Sequence, residues 1–399
     1  MMTTTVPKTA IEHELGLVLT GGGARGAYQV GVLKWIARNY PDIEVPILTG
    51  VSAGAVNAAK LAATPGTFAQ ACGELETLWR SLTVDQIFRA DTVSLSRSAM
   101  NWGLRLMSGG SRSAPRVRGF LDTQPLRELL YETLAPVNHE VTGIDYNLAR
   151  GKIKAVAIIT TSYTTGQTVV FVKGDGIRPW RRPQRRTALG AITIETIMAS
   201  AALPIFFPAV RIGDEWYGDG GIRLAAPLSP ALHLGANRIL AISTRYDRTA
   251  AEAQNAGIVG YPPPAQVLGI LLNAVFLDLI DQDAVRLERL NLLLEKLPPE
   301  DREGMRPVRF MKVRPSEDLG TLAAKFEPQL PRAFRFMTRG LGTQEQRSPD
   351  MLSMLMFQPD YLGELIDMGE RDAERMARGL EEFFEDRVPS DVTAEPPPV

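Results

Sequence analysis

LGLVLTGGGARGAYQVGVLKWIARNYPDIEVPILTGVSAG, residues 15–54, decides the fold class. Residues 15–20 are a short apolar run that reads as a buried strand and ends in Gly21-Gly22-Gly23. Ala27–Asn39 then carries a helical pattern. Val45–Thr49 is a second short apolar run, followed by Gly50 and a further helical stretch over Ala53–Ala63. Strand, glycine turn, helix, repeated twice, predicts an α/β protein with a mostly parallel central sheet flanked by helices.

Working outward, Lys154–Thr160 and Thr168–Lys173 alternate around a Thr/Gly turn and predict a hairpin-like pair. Ile192–Ala201 reads as a helix stopped before Pro204. Ala209–Ile212 and Glu215–Gly218 flank a Gly213-Asp214 turn, and Arg238–Thr244 is a further core strand. Val308–Val313 could return one last strand to the sheet. Residues 67–150 read as helices and loops, with Gly109, Gly110 and Pro115 marking an irregular segment. Helices are expected over 267–297 and 360–386, and the Pro-rich end, 388–399, reads as disordered. The division expected is an α/β domain over 12–245, a mostly helical C-terminal extension over 246–387, and the tail.

The chain has 399 residues, 45% hydrophobic and 22% charged, which excludes a disordered or fibrous whole. Its 44 Lys+Arg balance 45 Asp+Glu, so no global basicity points to nucleic acid. The balance hides a local +8 over residues 101–190 and −7 over 361–399. The single cysteine, Cys72, excludes an internal disulfide and a cysteine zinc site. The N-terminus lacks the apolar core of a secretory signal. Val267–Ile280, the longest apolar-rich stretch, reads as too short and too polar to span a bilayer. A cytoplasmic protein, free or peripherally membrane-associated, is expected.

Gly21-Gly22-Gly23-Ala24-Arg25-Gly26 fits G-x-G-x-x-G between a strand and a helix. One reading is a dinucleotide phosphate loop, and with it an oxidoreductase. That reading needs an acid after the second strand, whereas Glu44 precedes it. The other is an oxyanion hole, in which backbone N–H groups and a helix N-terminus converge on a developing negative oxygen; Arg25 could add positive charge. A plain helix-entry turn is the third.

Gly50-Val51-Ser52-Ala53-Gly54 is G-x-S-x-G between a strand and a helix, the setting of a nucleophile elbow. Small neighbours let Ser52 stand exposed at the helix N-terminus. A base for Ser52 is then required. The three histidines are poorly placed: His13 precedes the first strand, His139 sits in a polar loop, and His233 lies in a helix ahead of residues 238–244. A Ser52–Asp219–His233 triad stays open on chain order alone. The alternative base is Asp219 itself, in Tyr217-Gly218-Asp219-Gly220-Gly221, if burial raises a carboxyl pKa that is ordinarily about 3.9. Asp214 suits a simple hairpin tip better.

GGGARG at 21–26, GVSAG at 50–54 and DGG at 219–221, in that order, resemble the patatin-like phospholipase family. ASAALPIFFPAV at 199–210 and the segment 235–244 match as well, so the likeness covers roughly 14–245. YLGELIDMGERDA at 361–373 is similar to a closing helix of some bacterial members. The resemblance implies a three-layer α/β/α fold and a serine acyl hydrolase acting on lipid esters without a metal or other cofactor. By it Ser52 would be the nucleophile and Asp219 the base. Gly22, Gly23, Ala24, Arg25 and Gly26 would form the oxyanion loop, with Gly50, Gly54, Gly220 and Gly221 shaping the elbow and base motifs. An acyltransferase on the same dyad and a non-catalytic lipid-binding protein are alternatives. Residues 203–210 and the 267–280 helix are candidates for an acyl groove. Arg178, Arg181, Arg182, Arg185 and Arg186 are candidates for contact with an anionic membrane. Oligomeric state is not legible.

Overall fold

The computed structural model describes residues 14–109, 118–254, 257–258, 260–276 and 279–385. His13, Gly110, Pro115 and the 388–399 tail lie outside these. One sheet runs through the molecule. Its strands are β1 (Leu15–Leu19), β2 (Ile47–Val51), β3 (Ala155–Ser162), β4 (Thr168–Gly174), β5 (Arg181–Arg182), β6 (Arg185–Leu189), β7 (Val210–Ile212), β8 (Glu215–Asp219), β9 (Arg238–Ile242) and β10 (Arg309–Val313). The order is β10-β9-β1-β2-β3-β4-β6-β5. From β10 to β3 every neighbouring pair is parallel. Beyond β3 the sheet is mixed: β4 is antiparallel to β3, β6 parallel to β4, and β5 antiparallel to β6.

The parallel strands are apolar almost throughout because both faces are covered. Leu17, Leu19, Leu48, Val156, Ile158 and Ile242 face one hydrophobic cluster, which includes residues of the helices Gly26–Asn39, Ala53–Ala63, Phe68–Ser81 and Pro359–Arg375. Val18, Ile47, Val51, Ala157, Ile159 and Ala241 face the other, closed by Ala231 and Leu234 of the helix Ser229–Leu234 and by Ile280 and Leu287 of the helix Leu279–Glu295. The result is helices, sheet and helices in three layers.

One detail of strand pairing positions everything that follows. β2 lies along one edge of β3 as far as the Val51–Ile159 pair and then turns away. The antiparallel strand β8 takes over that same edge from the next residue, with Asp219 opposite Thr160 and Tyr217 opposite Ser162. Asp219 therefore lies immediately beyond the point where β2 leaves the sheet. β7 pairs with β8 around the Gly213-Asp214 turn, and Asp214 is an exposed hairpin tip ion-paired to Arg211.

The C-terminal part closes onto this frame. The helix Pro359–Arg375 crosses the helix Gly26–Asn39 where two glycines face each other's backbone. A methyl on Gly31 would strike the Ile366 carbonyl, and one on Gly369 the Tyr28 carbonyl. Tyr28, wholly buried, donates its hydroxyl to Asp372 at 3.2 Å across the same contact. The apolar run at 267–280 falls in the helices Pro264–Phe276 and Leu279–Glu295. Among the described residues, 264–295 is the one stretch long and apolar enough to cross a membrane by length and composition, with a mean hydropathy of 1.5 in its most apolar window.

Gly31→Ala should therefore lower stability by about 1–3 kcal/mol through overpacking. Gly103→Ala, with nothing within 4 Å of the new methyl, should be neutral or stabilising by up to about 1 kcal/mol. Urea unfolding of both variants checks the contrast; equal midpoints would show that the helix crossing tolerates a methyl.

Candidate active site

Ser52 caps the N-terminus of the helix Ala53–Ala63 with φ 56° and ψ −128°. This is a strained conformation for a residue with a side chain, costing about 1–3 kcal/mol. It is held by close packing of the β1 and β2 ends. A methyl on Gly54 would collide with the Leu19 and Thr20 carbonyls, and one on Gly26 with Ala53 and Trp79. The Ser52 N–H donates to Ser200 Oγ at 3.0 Å, and that hydroxyl donates to the Ile159 carbonyl at 2.6 Å. Ser200 thus bolts the elbow to β3 from the helix Ile194–Ser200. It lies inside the matching stretch 199–210 but was not singled out there, since nothing distinguishes it from an ordinary helix serine.

Asp219 is wholly buried. Its Oδ1 accepts the Gly221 N–H at 2.9 Å, while Oδ2 is buried without a hydrogen-bond partner. Burial pushes the carboxyl up to about 7, against the opposing influence of the Ser52 hydroxyl and the Gly221 N–H. So the one side chain favouring its ionised form is Ser52. Gly220 has no room for a side chain because the Ile159 carbonyl occupies the space.

The histidines are elsewhere. His233 sits at the C-terminal end of the helix Ser229–Leu234, which lies in the layer opposite Ala53–Ala63 and leads into the start of β9. Its ring stacks on Trp180 at 4.6 Å, and burial with Arg182 and Arg185 nearby lowers its pKa. His139 is exposed beside Tyr131 and Glu195. Neither is brought to Ser52.

The glycine loop adopts backbone that glycine favours: φ is 144° at Gly22 and 58° at Gly23. Side chains there would also meet Thr244 and the Met354 carbonyl. Residues Gly23–Arg25 form one 3-10 turn. The Arg25 N–H donates to the Gly22 carbonyl at 3.2 Å, and the Gly26 N–H turns back to the Gly23 and Ala24 carbonyls. Those two N–H groups are spent within the loop. The Arg25 side chain is likewise committed. It is 3% exposed, with Nε on Ser353 Oγ at 2.7 Å and Nη2 on Asp350 Oδ1 at 2.6 Å. The expectation of a cation available at the site is corrected: the charge is neutralised by Asp350 and anchors the loop to the C-terminal region.

A buried polar chain ties loop to elbow. Trp79 Nε1 donates to Asn57 Oδ1 at 2.7 Å, Asn57 Nδ2 to Gln29 Oε1 at 2.9 Å, and Gln29 Nε2 to the Thr20 carbonyl at 2.8 Å. The available signal was an amide, Gln29 and Asn57, among small and apolar neighbours in the first turns of the helices Gly26–Asn39 and Ala53–Ala63.

Ser52 opens on a cavity of about 60 Å³, lined almost entirely by apolar groups. Gly23, Ala53, Leu82, Ile87, Leu126, Phe207 and Phe357 are among the residues that line it with Ser52. Most of its walls come from the 67–150 region. Of the two proposed grooves, 203–210 contributes Phe207, whereas the 267–280 helix does not reach this cavity. That helix instead borders a polar cleft with Arg25, Asp318 and Asp350. Of the basic cluster, Arg178, Arg181 and Arg182 are exposed. Arg185 and Arg186 are half-buried: Arg186 is ion-paired with Glu215 at 2.8 Å, which takes its charge out of a free cationic patch, while Arg185 donates to the neutral Ser229 hydroxyl at 2.9 Å and keeps its charge.

The model of the patatin-like phospholipase family matches residues 17–232. Calcium-independent phospholipase A2-gamma of Oryctolagus cuniculus is 26% identical over 220 residues, covering 54% of this chain and 25% of that protein. Similar solved structures include VipD from Legionella pneumophila, at 14% identity and TM-score 0.38 over 93% of this chain and 67% of that one. Human GIVD cytosolic phospholipase A2, in complex with methyl gamma-linolenyl fluorophosphonate, gives 13% identity and TM-score 0.42 over 94% and 59%. The chain spans about a quarter of the length of the curated relative it matches.

The raised Asp219 pKa carries a stability consequence. Its folded value, about 7, lies above the ordinary aspartate value of 3.8. The contribution is therefore fully present below pH 3.8 and lost as pH rises through 7. Asp219→Asn does not titrate, so it should be more stable than the wild type at pH 8, by on the order of 4 kcal/mol. The gap should close towards pH 4. Thermal unfolding of both proteins across that range is the measurement, and a pH-independent difference would contradict the buried-carboxyl account.

Proposed function

Because the chain belongs to the patatin-like phospholipase family, we propose that it is a serine hydrolase of lipid acyl esters working with a Ser52–Asp219 dyad. The observation that carries this reading is the handover on β3. Ser52 follows the last β2 residue on that edge, and Asp219 is the first β8 residue to occupy it.

In this mechanism Ser52 Oγ attacks the ester carbonyl carbon while its proton passes to Asp219 Oδ2, the buried oxygen without another partner. The carbonyl electrons move onto oxygen. The N–H groups of Gly22, Gly23 and Ala24 and the dipole of the Ala53–Ala63 helix stabilise that oxyanion. Arg25 and Gly26, whose N–H groups are engaged within the loop, serve to shape it. Collapse of the intermediate expels the alcohol, which takes the proton from Asp219. Water then attacks the acyl carbon as its proton passes to Asp219; the Ser52 Oγ–acyl bond breaks, Ser52 takes the proton back from Asp219, and the free acid leaves. An aspartate raised to about 7 is strong enough for this role, whereas one at its ordinary value of about 4 is a weak base. The Ser52 cavity would take the acyl chain. Leu82, Ile87, Leu126 and Phe207 would be the side chains it meets there. Lipid esters are the substrate class proposed.

A fluorophosphonate probe should label the wild type and fail to label Ser52→Ala; labelling that survives in Ser52→Ala removes the assignment. On a soluble short-chain ester, kcat/KM should rise about tenfold per pH unit below the Asp219 pKa and level off above about 7, because only the carboxylate accepts the proton. Asp219→Asn should abolish turnover, whereas His233→Ala should retain it. A dead His233→Ala would restore the triad.

A further inference from the structure

Two neighbouring helices near the Ser52 cavity turn apolar side chains to solvent. In the sixteen-residue helix Thr92–Met107, Leu95 is the one buried residue. Val93, Met100, Leu104 and Met107 are 67%, 60%, 48% and 89% exposed. Their spacing puts them within an arc of about 60° at 3.6 residues per turn, with Arg97 beside them. The helix Arg332–Gly340 packs alongside. It presents Phe336, 82% exposed, between Arg332, Arg335 and Arg339 on the same outward side. Among the described residues none of these four arginines is paired with a carboxylate. Arg335 reaches the Pro328 carbonyl, and Arg339 faces the Gln344 amide oxygen.

The same helices lead inward to the chemistry. Phe334, buried on the inner side of Arg332–Gly340, packs on Phe88 with ring centroids 5.1 Å apart. Phe88 packs on Phe207 at 5.9 Å, and Phe207 lines the Ser52 cavity together with Ile87. Phe334, Phe88 and Phe207 therefore form a path of packed rings from this helix to the Ser52 cavity.

We propose that the face made by Met100, Leu104 and Phe336, with the arginines around it, docks on an anionic lipid membrane and brings an acyl chain above the aromatic path to Ser52. Apolar groups flanked by uncompensated cations are the pairing an anionic bilayer surface selects. The inserted side chains meet acyl chains, and the guanidinium groups meet lipid phosphates. The delivery half of the proposal rests on the lipid-ester reading; the docking half does not.

The test uses the full chain carrying Ser52→Ala, so that lipid is not consumed. Co-sedimentation with vesicles of equal parts phosphatidylcholine and phosphatidylglycerol should show binding, with little on phosphatidylcholine alone. Leu104→Asp combined with Phe336→Asp should weaken partitioning about tenfold or more while the thermal unfolding midpoint stays put. Arg332→Gln with Arg339→Gln should weaken it and flatten its salt dependence, whereas Arg181→Gln with Arg182→Gln should leave it unchanged. Three results would each overturn the proposal: no binding to the anionic vesicles, binding indifferent to the Leu104 and Phe336 substitutions, or a dimer that those substitutions split without any vesicle binding. Failure of the enzymatic reading shows separately, as soluble-ester hydrolysis that persists in Ser52→Ala.

Discussion

The edge of β3 is the constraint on which the site depends. A single strand edge offers one row of backbone partners, and two strands share it end to end. β2 must leave at Val51 for β8 to enter at Thr160. That departure demands the positive φ of Ser52, and the sharp turn demands glycines where carbonyls of the first loop press in. The arriving strand delivers a carboxyl into a space closed to water, and closure from water is what gives an aspartate a pKa suited to a base. Strain, close packing and a raised carboxyl pKa are thus three results of one pairing arrangement.

The glycine loop depends on parts of the chain far away in sequence. Arg25 meets Asp350 and Ser353, and Gly23 lies against the Met354 carbonyl. Phe357 stacks on Trp79 at the cavity wall, and Trp79 begins the polar chain that ends at the Thr20 carbonyl. A buried ion pair such as Arg25–Asp350 adds little net stability, but removing one partner leaves an uncompensated charge. It works here as a positional lock on the loop.

Local patterns were legible and long-range contacts were not. The three glycine-bearing motifs, the helical and strand periods and the β3–β4 hairpin follow from near-neighbour spacing, which a sequence displays directly. The fate of the Arg25 charge does not, because its partners lie 325 and 328 residues away. Ser200 looks like any helix serine until β3 and the elbow are packed around it. The 267–280 run is apolar enough for an acyl groove, but apolarity says nothing about which cavity a helix borders. Arg185 and Arg186 read as part of a basic cluster because Ser229 and Glu215, which hold them, arrive from other strands and helices.

The Arg25–Asp350 contact has a consequence in time. During synthesis the elbow and then the Asp219 strand emerge while residues 350–357 are still to be made, and domains generally fold as their chains become complete. Until then the loop beside Ser52 lacks its Arg25 anchor and the cavity lacks its Phe357 wall. A nascent chain thus carries Ser52 and Asp219 before it carries the support that shapes the glycine loop, so completion of this cavity and loop waits on residues 350–357.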